Sequence, residues 1–247
     1  MIRWIHLNSI SQITMYRIQV IALLLCAAIN TFGASLDTHQ DCDDSMKVSG
    51  GPCLEGVPTN LDKAVQGVIP VPHRQVLGFT VGVDSFAIAK KIFGPAHEWH
   101  SGDAAASETK LCYIANSGND VVTVVLAEND EMATNIDEIR MIRGRIDSGS
   151  KCETLRQPLA DIHTASGLRA GMTERQLESI LGRPTYPDAG LLFYTWEKNR
   201  ELKAREPDYS SCLVDGRSIE TLGSGVTARV IRGVVVWITI VYGDYVC

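Results

Sequence analysis

The densest group of side chains that could do chemistry is a short run containing two histidines. His97, Glu98, His100 and Asp103 lie within seven residues, and imidazoles with carboxylates can hold a divalent transition metal. On a strand, however, His97 and His100 would point to opposite faces, because successive side chains alternate. We therefore interpret the run as solvated loop residues and expect no metal site and no cofactor.

A second acidic run and a lone His–Asp pair are interpreted in the same way. His39 lies among the carboxylates of residues 37–44, and we expect a solvated charge run there rather than a cation site. His163 with Asp161 could belong to a catalytic triad assembled in space, but this pair is better explained as part of a linker. Neither a Gly-x-Ser-x-Gly elbow nor a phosphate-binding Gly-rich loop with Lys occurs. The sequence thus favours a protein that is not an enzyme, with a metal-dependent hydrolase as one alternative.

Aromatic side chains supply the candidate binding surface. On alternating strands, Tyr194 and Trp196 would share one face, and Trp237 would share a face with Val235. In the last predicted strand, the side chains that point to either face of the sheet are apolar. The sheet face that carries no helices is therefore either buried by the leader and loops or forms a recognition surface. We predict partner contact through three aromatic residues, with three charged residues on the following loop as a polar rim: Tyr194, Trp196, Trp237, Glu197, Lys198 and Arg200.

A repeated pattern predicts the elements that would position these residues. One copy runs from Gly167 to Thr185 and the other from Gly78 to Ala96. Each reads as a glycine turn, a helix N-cap, a short amphipathic helix and a Gly-Pro stop. Thr173 with Gln176 predicts a capping box in one copy. Asp84 is the expected N-cap in the other, whose helix should be one residue longer.

Strand patterns follow each predicted helix. The first copy is followed by strands at 110–114, 121–126 and 135–143, the last with imperfect alternation, and the second by strands at 191–196, 211–214, 226–231 and 234–242. Arg232-Gly233 predicts a tight turn, and Gly223-Ser224-Gly225 a loop. Because the connections are too short for crossover helices, we expect antiparallel pairing. The two repeats could join edge to edge into one curved sheet with helices on one face.

The N-terminal segment is typical of an export signal. Residues 20–29 are apolar and follow Arg17, over a length too short to span a bilayer comfortably. A plain signal peptide is the first interpretation. A lipoprotein acylated at Cys26 and a retained membrane anchor are alternatives, and the protein would meet a membrane only if lipidated at Cys26. Met1 or Met15 is the true start.

The cysteine count favours an oxidising compartment, either periplasmic or extracellular. Six cysteines remain once Cys26 is set aside, and an even number in an exported chain indicates disulfides, although six allow about 15 pairings. The repeat makes one set the simplest, because Cys112 and Cys212 would occupy corresponding strands and Cys152 and Cys247 would each follow the last strand of a repeat. The resulting pairs are Cys42–Cys53, Cys112–Cys152 and Cys212–Cys247.

Composition excludes some partner classes. The chain has 247 residues, a formal net charge of -6 and no basic run, so we expect no nucleic-acid partner. The order of features predicts a signal peptide at 1–35, an irregular acidic leader at 36–75, a first α+β repeat at 76–152 and a second at 153–247. Each repeat would be a short helical layer on an antiparallel sheet of three to four strands.

The Gly167–Thr185 motif resembles the SmpA/OmlA family of small outer-membrane assembly lipoproteins. The residues that carry the likeness include Gly171, Met172, Thr173, Leu177 and Pro184. The resemblance implies two short helices packed on a three-stranded antiparallel sheet. A tandem pair of such units with a disulfide in each is similar to the β-lactamase inhibitor protein, in which two units join into a concave sheet.

These features together predict an exported, non-enzymatic protein that presents a sheet face to a protein partner. The resemblance implies a cell-envelope assembly lipoprotein or scaffold as one alternative. An inhibitor of an extracytoplasmic enzyme is another, in which a loop enters the partner's cleft. The partner itself is not identified by the sequence.

Overall fold

The structure is a computed structural model that describes residues 63–101, 108–128, 135–145, 152–188, 190–205, 213–214 and 217–246. The expected signal peptide, most of the leader, Asp103 and the cysteines at 26, 42, 53, 212 and 247 lie outside these residues. The described elements, in chain order, are β1 (Val65–Gln66), α1 (Val71–Arg74), β2 (Gln75–Val76), β3 (Phe79–Thr80), α2 (Phe86–Phe93), β4 (Trp99–Ser101), β5 (Glu108–Ser117), β6 (Asp120–Glu128), β7 (Glu138–Arg143), β8 (Glu153–Thr154), a 3-10 turn (Leu159–Asp161), α3 (Glu174–Leu181), β9 (Tyr186–Asp188), β10 (Leu191–Glu201), β11 (Leu213–Val214), β12 (Arg217–Ile231) and β13 (Val234–Val246).

One large sheet dominates the fold. Its main path runs β1-β10-β12-β13-β7-β6-β5-β4, and β2 with β3 forms a separate small ribbon. β5, β6 and β7 form one antiparallel meander, and β10, β12 and β13 form another. The two meanders join through their last strands, since β7 pairs antiparallel with β13. The predicted combination of helices with a largely antiparallel sheet is confirmed, and the sheet is mixed because β1 and β8 add in parallel.

Helix α3 forms where the repeat pattern predicts it. The Thr173 hydroxyl accepts from the Gln176 backbone N–H (3.3 Å), and the Gln176 side chain accepts from the Thr173 N–H (2.8 Å). This reciprocal capping box provides partners for two N–H groups that the first helical turn would leave unpaired. Gly182 ends the helix with a positive φ of 81°, a conformation in which a Cβ would be strained.

Helix α2 corrects two predictions made for the other copy of the motif. Ser85, not Asp84, is its N-cap, and the Asp84 carboxylate instead accepts from the Thr80 N–H at 2.7 Å. Both helices are eight residues long. The additional residue between Gly82 and Gly94 therefore lies in the turn before α2, because the Asp84 side chain closes that turn before the helix begins.

Both helices cover the same face of the sheet, which we call the helix face. Phe93 of α2 and Leu177 of α3 belong to one core cluster with Tyr113, Met141 and Ile240. The other side, the opposite face, is also buried along its centre, where Val125, Ala127 and Thr239 are each less than a twentieth exposed. The sheet is therefore an internal layer over much of its area, rather than half exposed to water.

The edges of the sheet are closed by very short strands. At one edge, β4 and β8 pair with β5 over three and two residues. At the other, β9 and β1 pair with β10 over three and two residues. Short edge strands leave few free N–H and C=O groups for another chain to pair with. Loops and exposed strand ends are consequently the more accessible surfaces.

Two turn predictions have different outcomes. The Arg232-Gly233 turn is confirmed, with both residues at positive φ (52° and 75°), as a two-residue hairpin of the I′ type requires. The Gly223-Ser224-Gly225 loop is wrong, because these residues lie inside β12 next to a bulge. A Cβ at Gly225 would lie 3.1 Å from the Tyr194 carbonyl oxygen, so glycine here permits close strand approach.

The described end of the predicted irregular leader is ordered. Residues 65–76 form β1, α1 and β2. Pro70 and Pro72 do not prevent this, since the helix is a single turn that begins at Val71 and tolerates proline near its start.

Candidate functional site

The six residues predicted to contact a partner do not share one surface. Tyr194 pairs across the sheet with Val226, which pairs with Ile240 on the helix face. Trp237 pairs with Arg229 and Ile142, which places it on the opposite face. Val235 lies in the helix-face core with Ile240, so the prediction that Val235 and Trp237 share a face is wrong. The bulge between Arg229 and Val230 shifts the alternation by one residue.

Tyr194 is a core residue rather than a surface contact. Its side chain is 2% exposed, and its hydroxyl has no hydrogen-bond partner among the described residues. Burial is the main cause that raises the pKa of the phenol, and the carboxylates of Glu178 and Glu174 on α3 raise it further. The phenol therefore stays protonated and neutral under the helix.

Trp196 belongs to a row of side chains that crosses three strands. Trp196 pairs with Ser224, and Ser224 pairs with Tyr242. We call these three residues the aromatic row. Trp196 and Tyr242 are partly buried and pack against the helix-face core, so the row continues that core towards the ends of β10 and β13.

The chain itself covers the aromatic row. The Ile69 N–H donates to the Ser224 hydroxyl at 3.0 Å. The His73 ring lies 6.4 Å from the Trp196 ring, centroid to centroid, and the Arg74 guanidinium carbon lies 4.1 Å from the centroid of the Tyr242 ring. At its start, this segment also pairs with the edge of β10, where the Gly67 N–H donates to the Glu197 carbonyl at 2.7 Å. We call residues 65–74 the strap.

Arg74 anchors the end of the strap. Its side chain is buried, donates to the Val81 carbonyl and lies over the Tyr242 ring, a cation–π arrangement. Gly82 also packs against the Tyr242 ring, so closely that a Cβ on Gly82 would lie 2.0 Å from a ring carbon. Gly82 also has a φ of +77°, so both space and conformation favour glycine.

The three predicted rim residues lie in a strand rather than in a loop. β10 extends to Glu201 because its partner β12 continues to Arg217. Lys198 is exposed, and Arg200 forms a two-pronged ion pair with Glu220 through Nε (2.8 Å) and Nη2 (2.6 Å). The Glu197 carbonyl accepts from the strap. A strand of eleven residues was underestimated because polar residues 197–201 carry no hydrophobic alternation.

The second meander therefore continues as a polar extension beyond the strands of the first meander. β7 pairs with β13 only over residues 237–241, while β12 and β10 continue together through Arg200–Glu220 and Glu201–Ile219. We call residues 197–201 with 217–223 the ribbon. Four consecutive residues of its outer strand, 198–201, are exposed, so it is the most accessible part of the predicted binding set.

A buried ion cluster on the opposite face was missed by the sequence prediction. The Arg140 Nη2 lies 3.1 Å from Glu108 Oε1 and 3.0 Å from Glu138 Oε2, and its Nε donates to Glu138. Lys110 Nζ lies 2.8 Å from Glu108 Oε2. Burial opposes the charge of the guanidinium, but the Glu138 and Glu108 carboxylates raise the pKa of Arg140 above its ordinary value.

Strand pairing explains how the cluster forms. Arg140 pairs with Val125, and Val125 pairs with Cys112, so β6 separates the charged strands β5 and β7 with a small side chain. Two cations and two carboxylates balance within the cluster, as buried charges require. The sequence held one indication of this cluster. Glu138 and Arg140 alternate onto the same strand face as Ile142, which makes the hydrophobic alternation at 135–143 imperfect.

The described residues of the histidine-rich run have separate contacts. Glu98 forms an ion pair with Lys90 (2.7 Å), and the His100 Nδ1 is 2.8 Å from the Thr109 hydroxyl. The His97 ring contacts the Trp99 ring edge-on at 4.8 Å. Within the described ranges, no group of three or more His, Cys, Asp and Glu side chains is placed to hold a metal ion.

The His163–Asp161 pair lies in the linker before α3. The His163 Nδ1 is 2.8 Å from the Thr164 carbonyl, and its backbone N–H donates to the Asp161 carbonyl at 2.9 Å. Asp161 ends the 3-10 turn and is exposed. The contacts of both residues are thus local hydrogen bonds of the linker.

One predicted disulfide is present. Cys112 is bonded to Cys152, 40 residues later, and ties β5 to the segment that leads into β8. Cys212 lies outside the described residues, so its predicted correspondence with Cys112 stays a prediction.

None of the helices in the described part of the chain has the length and apolar character needed to span a bilayer. The chain matches no protein-family model, no curated protein and no solved structure.

Proposed function

We propose that this chain is an exported, non-enzymatic binding protein that contacts a protein partner through its ribbon. The supporting observation is the different length of the two meanders. The pairing of β7 with β13 ends at Glu138 and Val241, whereas β10 and β12 continue to pair as far as Glu201 and Ile219. The extension exposes Lys198 beside the Arg200–Glu220 ion pair, with Trp196 at its base. Arginine and aromatic side chains are enriched where proteins bind each other.

The proposal also treats the two meanders as tandem repeats of one SmpA/OmlA-like unit. Equivalent hydrogen bonds support this: the Gly82 N–H donates to the Ile136 carbonyl and the Gly171 N–H to the Val235 carbonyl, both at 2.7 Å. Equivalent rows support it as well. Tyr113–Val124–Met141 crosses the first meander and Tyr194–Val226–Ile240 crosses the second.

Partner capture with a ribbon variant tests the binding proposal. We expect the wild-type protein, purified and immobilised, to retain a partner from secreted and envelope proteins. Lys198→Glu combined with Arg200→Glu should weaken binding of the identified partner by about tenfold or more, since about 1.4 kcal/mol corresponds to a tenfold change. Arg143→Glu is the matched control, because this arginine is 47% exposed but lies in the other meander.

The outcomes separate the ribbon from other surfaces. Equal binding by both variants would assign the contact elsewhere, and loss by both would indicate a general charge effect. Circular dichroism of each variant verifies that the fold is kept.

Inhibition of an extracytoplasmic enzyme is the second candidate, because the exposed outer strand at 198–201 is a surface that a partner's cleft can accept. Intact mass of the exported protein addresses the envelope-assembly alternative. A start near Leu36 with three disulfides supports a soluble binding protein. A start at Cys26 with added lipid mass supports an assembly lipoprotein.

A further inference from the structure

The strap is fastened at both ends but carries an unfavourable group beside its second anchor. Gly67 and Ile69 hydrogen-bond to β10 and β12, and Arg74 lies over Tyr242. Between them, His73 packs near Trp196, and its buried Nδ1 has no hydrogen-bond partner among the described residues.

The neutral imidazole fits this place better than the imidazolium. A protonated ring would have two N–H donors and a charge, and Nδ1 has no described acceptor in the docked strap. The ring centroids of His73 and Trp196 are 6.4 Å apart, slightly beyond the about 6 Å at which an aromatic face attracts a cation effectively. Arg74, the next residue, already places one cation on the aromatic row.

The charged groups on the packed elements do not offset this. Lys198 is on the same side of β10 as Trp196 by strand alternation, and Glu197 is on the other side. In the linker, Ser166 donates its N–H to the Pro72 carbonyl (2.9 Å). The ionisable groups of that linker are the exposed Arg156, Asp161 and Arg169, together with His163, whose Nδ1 lies 2.8 Å from the Thr164 carbonyl.

We propose that the strap is an acid-released cover of the aromatic row, with His73 as the group whose protonation releases it. At neutral pH the strap is docked and Trp196 is covered. At acidic pH the protonated His73 leaves the row, and the adjacent edge of β10 and the Trp196 ring become accessible. The consequence for partner binding rests on the proposed function, whereas the release itself is a property of the protein alone.

The direction of the pH dependence follows from burial. Burial lowers the pKa of His73 from its ordinary value of 6.5. Since the docked state has the lower pKa, docking is fully favourable above pH 6.5 and weakens as the pH falls below it. The docking equilibrium decreases by about tenfold for each pH unit between 6.5 and the lowered value.

Hydrogen exchange of the intact protein at pH 7.5 and about pH 5 measures this release, with the exchange rates corrected for the intrinsic effect of pH. We expect the protection of peptides containing Gly67 and Ile69 to fall at acidic pH, while peptides from β6 stay protected. Unchanged strap protection would overturn the proposal, and so would an equal loss in β6, which indicates global unfolding.

Two variants assign the effect to His73. His73→Phe keeps an aromatic ring that cannot be protonated, and its strap should stay protected at acidic pH. His97→Phe is the matched control, an exposed histidine between α2 and β4 that should behave like the wild type. Release that persists in His73→Phe, or that disappears in His97→Phe, contradicts the proposal. His73→Leu substitutes if the phenylalanine variant fails to fold.

The same exchange measurement separates this proposal from the proposed function. Failure to capture any partner through the ribbon leaves the strap's pH response unchanged. A strap that stays docked at acidic pH leaves ribbon binding unchanged.

Discussion

The two meanders use the same strand order but are stabilised differently. Where they meet, Arg140 of β7 lies directly across from Thr239 of β13. The first meander buries an ion cluster around Arg140 and has the Cys112–Cys152 bond. The second extends into the ribbon and is covered by the strap. The difference suggests that one half provides rigid support while the other carries the surfaces that can change or bind.

The largest expected effect comes from removing the arginine at the junction. Arg140→Met leaves Glu138 and Glu108 buried with fewer partners, and the free energy of unfolding should fall by about 3–5 kcal/mol. Thr239→Val at the facing position removes only a hydroxyl and should change stability by about 1 kcal/mol or less. Urea denaturation of both variants measures the difference. Equal losses would show that the junction tolerates charge removal as readily as loss of a hydroxyl.

The sequence predicted local elements better than contacts between strands. Helix caps, Gly stops and hairpin turns are local signals, so α3 and the Arg232-Gly233 turn could be predicted from neighbouring residues. The ion cluster depends on Glu108 and Arg140 meeting across β6, a contact set by strand pairing. The polar ends of β10 and β12 were missed for a similar reason, since their pairing rather than their hydrophobicity makes them strands.

The strap shows the same limit for the candidate site. Tyr194, Trp196 and Trp237 were grouped by strand alternation, which fails at the bulge near Val230. The sequence also left open whether the leader covers the sheet, because docking of Ile69 onto Ser224 joins residues 155 positions apart. Long-range contacts of this kind have no signature in a local pattern.

The disulfide gives the next largest effect. Replacing Cys112 and Cys152 together by alanine should lower the free energy of unfolding by about 3–4 kcal/mol, because the bond closes a long loop in the unfolded chain. Substitution is preferable to a reducing agent, which would act on every cysteine of the chain. The measurement is the urea midpoint of the double variant. A loss below about 1 kcal/mol would mean that the first meander does not depend on this bond.

The helix caps differ between the halves by a smaller amount. Thr173→Ala removes the hydroxyl that accepts from the Gln176 N–H, while the backbone N–H of residue 173 remains, and the change should cost about 1 kcal/mol. Ser85→Ala should have almost no effect, because Ser85 makes no side-chain cap bond to α2. Thr173→Asn retains an N-cap acceptor and should restore most of the loss. Thermal unfolding of the three variants compares the caps, and a larger effect at Ser85 would reverse the expected order.

The two tyrosines under the helices make the most closely matched comparison. Tyr113 and Tyr194 both belong to the helix-face core, but only the Tyr113 hydroxyl has a described partner, the Gly94 carbonyl at 3.0 Å. Burial, with a contribution from Glu153, raises the pKa of Tyr113 to about 12, so both phenols are neutral at physiological pH.

Tyr113→Phe should therefore lose about 1 kcal/mol, the net contribution of a hydrogen bond. Tyr194→Phe removes a buried hydroxyl without a described partner and should be neutral or stabilising by up to about 1 kcal/mol, because an unsatisfied polar group is unfavourable in a core. Urea denaturation measures both, and the Tyr113→Phe, Tyr194→Phe double variant should show additive changes. A loss at Tyr194 as large as that at Tyr113 would indicate that an ordered water hydrogen-bonds the second hydroxyl, and the two halves would then be equivalent at this row.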